Sequence, residues 1–171
     1  DEGGDYAGKV YLIFSSNIPR NGIVNLADAD VDFLGEEAGD EIGTTMRSAG
    51  DVDGDGLADI LIHSDNHMND SFRGKTYLVL GSQLQGLSNF ALSDAAYSFV
   101  ATEQDGRLGG ISGAGDVDGD GLDDILIGAS TSIFGAGFLF LAANLQPGEL
   151  YYEQADYEFQ GSNPSDYAGS S

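Results

Sequence analysis

Apolar residues fall in short runs bounded by Gly or Asp: Val10-Tyr11-Leu12-Ile13-Phe14, Ile60-Leu61-Ile62, Tyr77-Leu78-Val79-Leu80, Ile125-Leu126-Ile127 and Phe138-Leu139-Phe140-Leu141. Short runs rich in β-branched and aromatic residues predict strands rather than helices. The continuous runs Ile60-Leu61-Ile62 and Ile125-Leu126-Ile127 predict strands buried on both faces. Between the runs, Asn89-Phe90-Ala91-Leu92-Ser93 and Leu145-Gln146-Pro147-Gly148 read as loops on their turn chemistry.

The runs repeat. One strand start occurs as Gly8-Lys9-Val10, Gly74-Lys75-Thr76 and Gly137-Phe138-Leu139, at steps of 66 and 63 residues. A second type ends in Phe33-Leu34-Gly35, Phe99-Val100-Ala101 and Phe159-Gln160-Gly161, at steps of 66 and 60. An acidic residue shortly precedes a glycine at Asp40 and Gly43, Asp105 and Gly109, and Asp166 and Gly169. The stretch Gly50-Asp51-Val52-Asp53-Gly54-Asp55-Gly56-Leu57-Ala58-Asp59 returns 65 residues later as Gly115-Asp116-Val117-Asp118-Gly119-Asp120-Gly121-Leu122-Asp123-Asp124. A period of this size marks a repeat architecture. Each period holds about four short strands, the content of a propeller blade.

The expected fold is therefore all-β, with four-stranded antiparallel blades forming a partial β-propeller. Residues 1–42 are read as the end of one blade, 43–100 and 109–160 as two complete blades, and 161–171 as the start of another. A propeller closes with at least about four blades, so the expectation is a fragment of a longer chain, or else copies that assemble.

Composition narrows the function. The 171 residues carry 29 acidic and 6 basic side chains, for a net charge of −23. This charge repels nucleic acid and anionic membranes and suits a protein living with divalent cations. There is no cysteine, which excludes disulfides and thiolate metal sites. No run approaches a membrane-spanning helix, and Asp1-Glu2-Gly3-Gly4 does not read as a signal peptide.

The acidic loops carry the chemistry. Calcium takes six to eight oxygen ligands, and alternating Asp residues in a tight turn aim their carboxylates at one point. Asp51, Asp53, Asp55 and Asp59, with the Leu57 carbonyl, form one expected calcium site. Asp116, Asp118, Asp120 and Asp124, with the Leu122 carbonyl, form the second. Carboxylates about 5 Å apart repel by roughly 3 kcal/mol per pair at an effective dielectric near 20, so binding is expected to be coupled to local folding. An all-oxygen set disfavours zinc and copper. An EF-hand needs Glu at loop position 12, and Ile62 and Ile127 stand there instead. A nonapeptide β-roll needs tandem copies, and there are none. An acidic turn without an ion is the plainer alternative.

Nothing marks His63 or His67 as a ligand or catalyst, and His63 reads as a packing or edge residue at a strand end. Arg73-Gly74-Lys75 reads as the beginning of a strand. Tyr6, Tyr151 and Tyr152 could stack on sugars, although blade edges commonly carry such aromatics. No nucleophile, phosphate-loop or zinc signature occurs.

The repeat resembles the FG-GAP repeat of integrin α-subunit β-propellers and their bacterial relatives. Its Phe-Gly step resembles Ile42-Gly43, Leu108-Gly109 and Ala168-Gly169. Its Gly-Ala-Pro step resembles Gly128-Ala129-Ser130, whereas the first unit has Ile62-His63-Ser64. The resemblance covers nearly the whole chain and implies an extracellular or cell-surface adhesion or interaction module, not an enzyme. The metal is then structural, and ligands sit on the face opposite the calcium loops. The implied partners are a protein or carbohydrate on the cell surface or matrix, or further blades or copies. Alternatives are a non-catalytic propeller part of a secreted carbohydrate-active enzyme and a self-assembling surface or filament subunit.

Overall fold

The structure, a computed structural model, describes residues 7–65, 74–101, 108–129, 135–163, 166 and 168–169. Their regular structure is all-β: twelve strands in three sheets, joined by loops and short 3-10 turns. The first sheet contains β1 (Lys9–Leu12), β2 (Val31–Leu34) and β6 (Asn89–Ala91). The second runs β11 (Gly148–Tyr151), β7 (Tyr97–Val100), β5 (Lys75–Val79), β4 (Asp59–Ser64) and β3 (Ile42–Gly50). The third runs β12 (Tyr157–Gln160), β10 (Ala136–Phe140), β9 (Asp124–Ala129) and β8 (Leu108–Gly115). The arrangement is that of a partial β-propeller.

Sequential strands pair antiparallel, as the hairpin spacing predicts. Two strands depart from this order. β6 leaves its own unit and adds in parallel to β2, with Phe90 opposite Phe33. β11 adds in parallel to β7, with Leu150 opposite Phe99. The loop readings of 89–93 and 145–148 therefore need correction: residues 89–91 are a strand, 92–94 form a 3-10 turn, and β11 begins at Gly148. Local turn chemistry missed them because a three- or four-residue strand becomes a strand through its distant partner.

Register also corrects one repeat marker. Lys9 faces Leu34, Lys75 faces Val100 and Ala136 faces Gln160. The counterpart of Gly8 and Gly74 is therefore Gly135, two residues before the Gly137 proposed from sequence. The error of two kept each side chain on its correct face, since strand side chains alternate.

Two apolar clusters fill the spaces between successive sheets. Val10, Val31, Phe33, Ile62, Tyr77, Val79, Phe90 and Leu92 join the first and second sheets. Leu61, Leu78, Phe99, Ile125, Ile127, Phe138, Phe140 and Tyr152 belong to the cluster joining the second and third. The Phe99 and Phe140 rings meet at 4.8 Å and the Phe33 and Phe90 rings at 5.9 Å. The burial on both faces expected of Ile60-Leu61-Ile62 and Ile125-Leu126-Ile127 holds at Leu61, Ile62, Ile125 and Ile127, whereas Ile60 is half-buried and Leu126 exposed; β5 and β10 are buried throughout. Lys75 crosses between units: its Nζ donates to Glu36 Oε1 at 3.0 Å and lies 3.6 Å from Glu149 Oε2.

Candidate metal centre

Each acidic loop joins the first two strands of a unit, 51–58 between β3 and β4 and 116–123 between β8 and β9. Their tight path depends on positive φ at Gly54 and Gly56 (75° and 86°) and at Gly119 and Gly121 (83° and 94°), a region glycine enters without a Cβ penalty.

The aspartates fold back onto their own loops. Gly56 N–H donates to Asp51 Oδ2 at 2.9 Å, Asp55 N–H to Asp53 Oδ1 at 3.2 Å, and Leu57 N–H to Asp55 Oδ1 at 2.7 Å. In the second loop, Gly121 N–H donates to Asp116 Oδ2 at 3.0 Å, Asp120 N–H to Asp118 Oδ1 at 3.1 Å, and Leu122 N–H to Asp120 Oδ1 at 2.8 Å. These three bonds recur position for position, but in the second loop Asp116 Oδ1 also accepts from Gly119 N–H at 2.7 Å and Asp120 N–H at 3.0 Å.

Carboxylate oxygens converge in each. Asp51, Asp53 and Asp59 each place one within 4.8 Å of the others, as do Asp116, Asp118 and Asp120. The groupings differ from the expected fourfold sets, since Asp55 is not part of the first and Asp124 is not part of the second. Asp51 Oδ1 is buried without a hydrogen-bond partner. An orphaned carboxylate oxygen beside two others is a place a hard cation would satisfy. The donor set is all oxygen, and thus fits calcium or magnesium better than softer metals.

Asp59 and Asp124 also brace the fold. Both are fully buried. Asp59 Oδ2 accepts from Val52 N–H and Oδ1 from Gly81 N–H, each at 2.8 Å. Asp124 accepts from Val117 N–H at 2.8 Å and Ala142 N–H at 2.9 Å. Each therefore ties its loop to the end of the third strand of its unit. Burial raises the Asp59 carboxyl above its ordinary value, the Gly81 and Val52 bonds oppose this, and the charges of Asp53 and Asp55 add to the rise.

Sequence reasoning missed Asp123. Its Oδ2 accepts the Asp51 N–H at 2.8 Å while its own N–H donates to the Asp51 carbonyl at 3.0 Å. This clasp joins the two loops across neighbouring units. The first loop has Ala58 at the matching position, and this difference between near-identical copies was the available signal. The first loop also borders an apolar hollow of about 930 Å³, lined in part by Leu12, Phe14, Met46, Leu57 and Leu84.

The other candidate residues resolve differently. His63 is buried, with Nδ1 3.0 Å from Thr76 Oγ1. Tyr152 is buried and stacks on Phe138 at 4.7 Å, which removes it from any sugar-stacking surface. Tyr151 is exposed and its hydroxyl donates to Glu149 at 3.1 Å. Tyr6, His67, Arg73 and Asp105 lie outside the described residues.

Residues 108–140 match the family described as FG-GAP repeat. The matched stretch runs from β8 through the second acidic loop to the end of β10. No curated protein matches the chain.

Proposed function

From a chain that carries an FG-GAP repeat in a propeller-type arrangement of sheets, we propose a calcium-stabilised interaction module acting outside the cell or at its surface. The reading rests chiefly on two loops of near-identical sequence, each with three carboxylates whose oxygens lie within 4.8 Å. Asp51, Asp53 and Asp59 would hold one ion and Asp116, Asp118 and Asp120 the other. Asp55, Asp124 and the Leu57 and Leu122 carbonyls would complete the shells.

The ion supplies positive charge where the fold concentrates negative charge, and so fixes each loop against its neighbouring strands. Its role is structural. A protein or carbohydrate ligand would be taken by the propeller surface, not by the metal, and no chemical step is assigned to the site.

Calorimetric titration tests this reading. The wild-type chain should bind two calcium ions, with affinity near the 10⁻⁴–10⁻³ M typical of extracellular modules or somewhat tighter. Asp118→Ala should leave one. A variant that still binds two would overturn the assignment, as would a wild-type chain that binds none.

A further inference from the structure

The two acidic loops touch one another, and the contact runs between groups assigned to the two metal sites. Asp123 stands between Leu122 and Asp124, both given above to the second site. Its N–H donates to the Asp51 carbonyl at 3.0 Å, and its Oδ2 accepts the Asp51 N–H at 2.8 Å. Asp51 is one of the three converging carboxylates of the first site.

The planar peptide group extends this contact into a relay. The Leu122 carbonyl and the Asp123 N–H are two ends of one peptide group. The Asp51 carbonyl and the Val52 N–H are two ends of another. Val52 N–H donates to Asp59 Oδ2 at 2.8 Å, and Asp59 is again a first-site carboxylate. A continuous chain of dipoles therefore runs from the Leu122 carbonyl through two peptide groups to Asp59. Positive charge at the Leu122 oxygen makes the Asp123 N–H a stronger donor, and through it the Val52 N–H. Bonds in such a chain strengthen one another, and the last of them holds Asp59 in place.

Packing leaves the two loops little independent movement. A Cβ on Gly50 would lie 2.6 Å from Asp123 Cβ, and one on Gly54 would lie 2.8 Å from Leu122 Cδ2. Between these glycines, Val52 is 3% exposed and belongs to the cluster joining the second and third sheets. The order of either loop thus limits the conformations open to the other.

We propose that the two sites are coupled through the Asp51–Asp123 clasp, an ion at either one raising calcium affinity at the other. The inference rests on the calcium reading above and adds a regulation to it. Ordering one loop leaves less conformational entropy to be lost when the second orders, and linkage makes the effect reciprocal. Two bound cations repel, and the Asp123 carboxylate at the junction of the loops offsets that repulsion. Occupancy then rises over a narrower range of calcium concentration than two independent loops would give.

Calcium titration of the whole chain, by calorimetry and by competition with a chromophoric chelator, tests this. Asp118→Ala reports the first site alone and Asp53→Ala the second alone. The wild-type association constant for two ions should exceed the product of these single-site constants by about 5-fold or more. Asp123→Ala touches neither converging set, so it should still bind two ions. In that background the excess should shrink toward a ratio of about 1, the value for independent sites. Asp123→Asn keeps an acceptor oxygen and should retain part of the excess. A merely structural role for Asp123 would weaken both sites and leave the excess unchanged. A wild-type ratio of about 1, or an excess unchanged by Asp123→Ala, overturns the coupling while the calcium sites stand. A wild-type chain that binds no calcium overturns the calcium reading itself, and the coupling with it.

Discussion

Asp123 shows how one carboxylate can serve the neighbouring unit rather than its own loop. It accepts the Asp51 N–H at 2.8 Å, a charge-assisted bond across the junction of the second and third sheets. Hydrogen bonds to charged groups contribute about 1.5–3 kcal/mol each. Asp123→Ala should therefore lower unfolding stability by about 1–3 kcal/mol in urea denaturation with calcium present, and Asp123→Asn, which keeps an acceptor oxygen, should lose less. Equal losses in both would mean that the clasp is not what holds the loops together. Asp166 makes a different use of the same chemistry. Its Oδ2 accepts the Asn163 N–H at 2.8 Å and the Ser162 N–H at 2.9 Å. The Asn163 bond first, with those from Ser162, holds its carboxyl below the ordinary value of 3.8. A depressed folded value stabilises the turn above the unfolded value, and that stabilisation is lost as pH falls through the folded one. The Ser162 and Asn163 amide resonances should accordingly shift with a midpoint below 3.8; a midpoint at or above it would contradict the bonds.

Among the elements, β8 approaches β3 closely. A Cβ on Gly113 would lie 2.7 Å from the Ala49 carbonyl oxygen and 2.9 Å from that of Ser48. Both obstacles are backbone, which cannot swing aside. Gly113→Ala should push the strands apart and cost about 1–3 kcal/mol, the usual range for overpacking. Ser112→Ala, at the neighbouring exposed position, should stay within about 0.5 kcal/mol of wild type. If the two variants denature together, the strands have room that the register does not suggest. The need for glycine at 113 depends on β3 and cannot be read from the sequence of β8 itself.

On the scale of the whole molecule, calcium and stability should be linked. A ligand at a hundred times its Kd stabilises the folded state by about 2.7 kcal/mol per site. For a chain of this size 1 kcal/mol moves the midpoint by about 2–4 °C. Two sites should then raise Tm by roughly 10–20 °C between excess chelator and saturating calcium. An unchanged Tm would remove calcium from the folded state's stability altogether. Asp118→Ala should show about half the shift, because the first loop keeps its own carboxylates.

The period, the strand type of the apolar runs and the two acidic loops were all determined by the sequence alone. Each is a local property: alternation sets strand faces, glycine sets turns, and closely spaced aspartates accept from the N–H groups of their own turn. Tertiary structure decided what these pieces meet. The parallel strands at Asn89–Ala91 and Gly148–Tyr151, the Gly135 register and the Asp123 clasp to a residue 72 positions away depend on which surfaces face one another. So does the exposure of Phe159 and Leu26, which occupy the same repeat positions as buried residues. Identical local patterns give opposite burial because a strand's environment is set by its neighbour, and that neighbour lies a full repeat away along the chain.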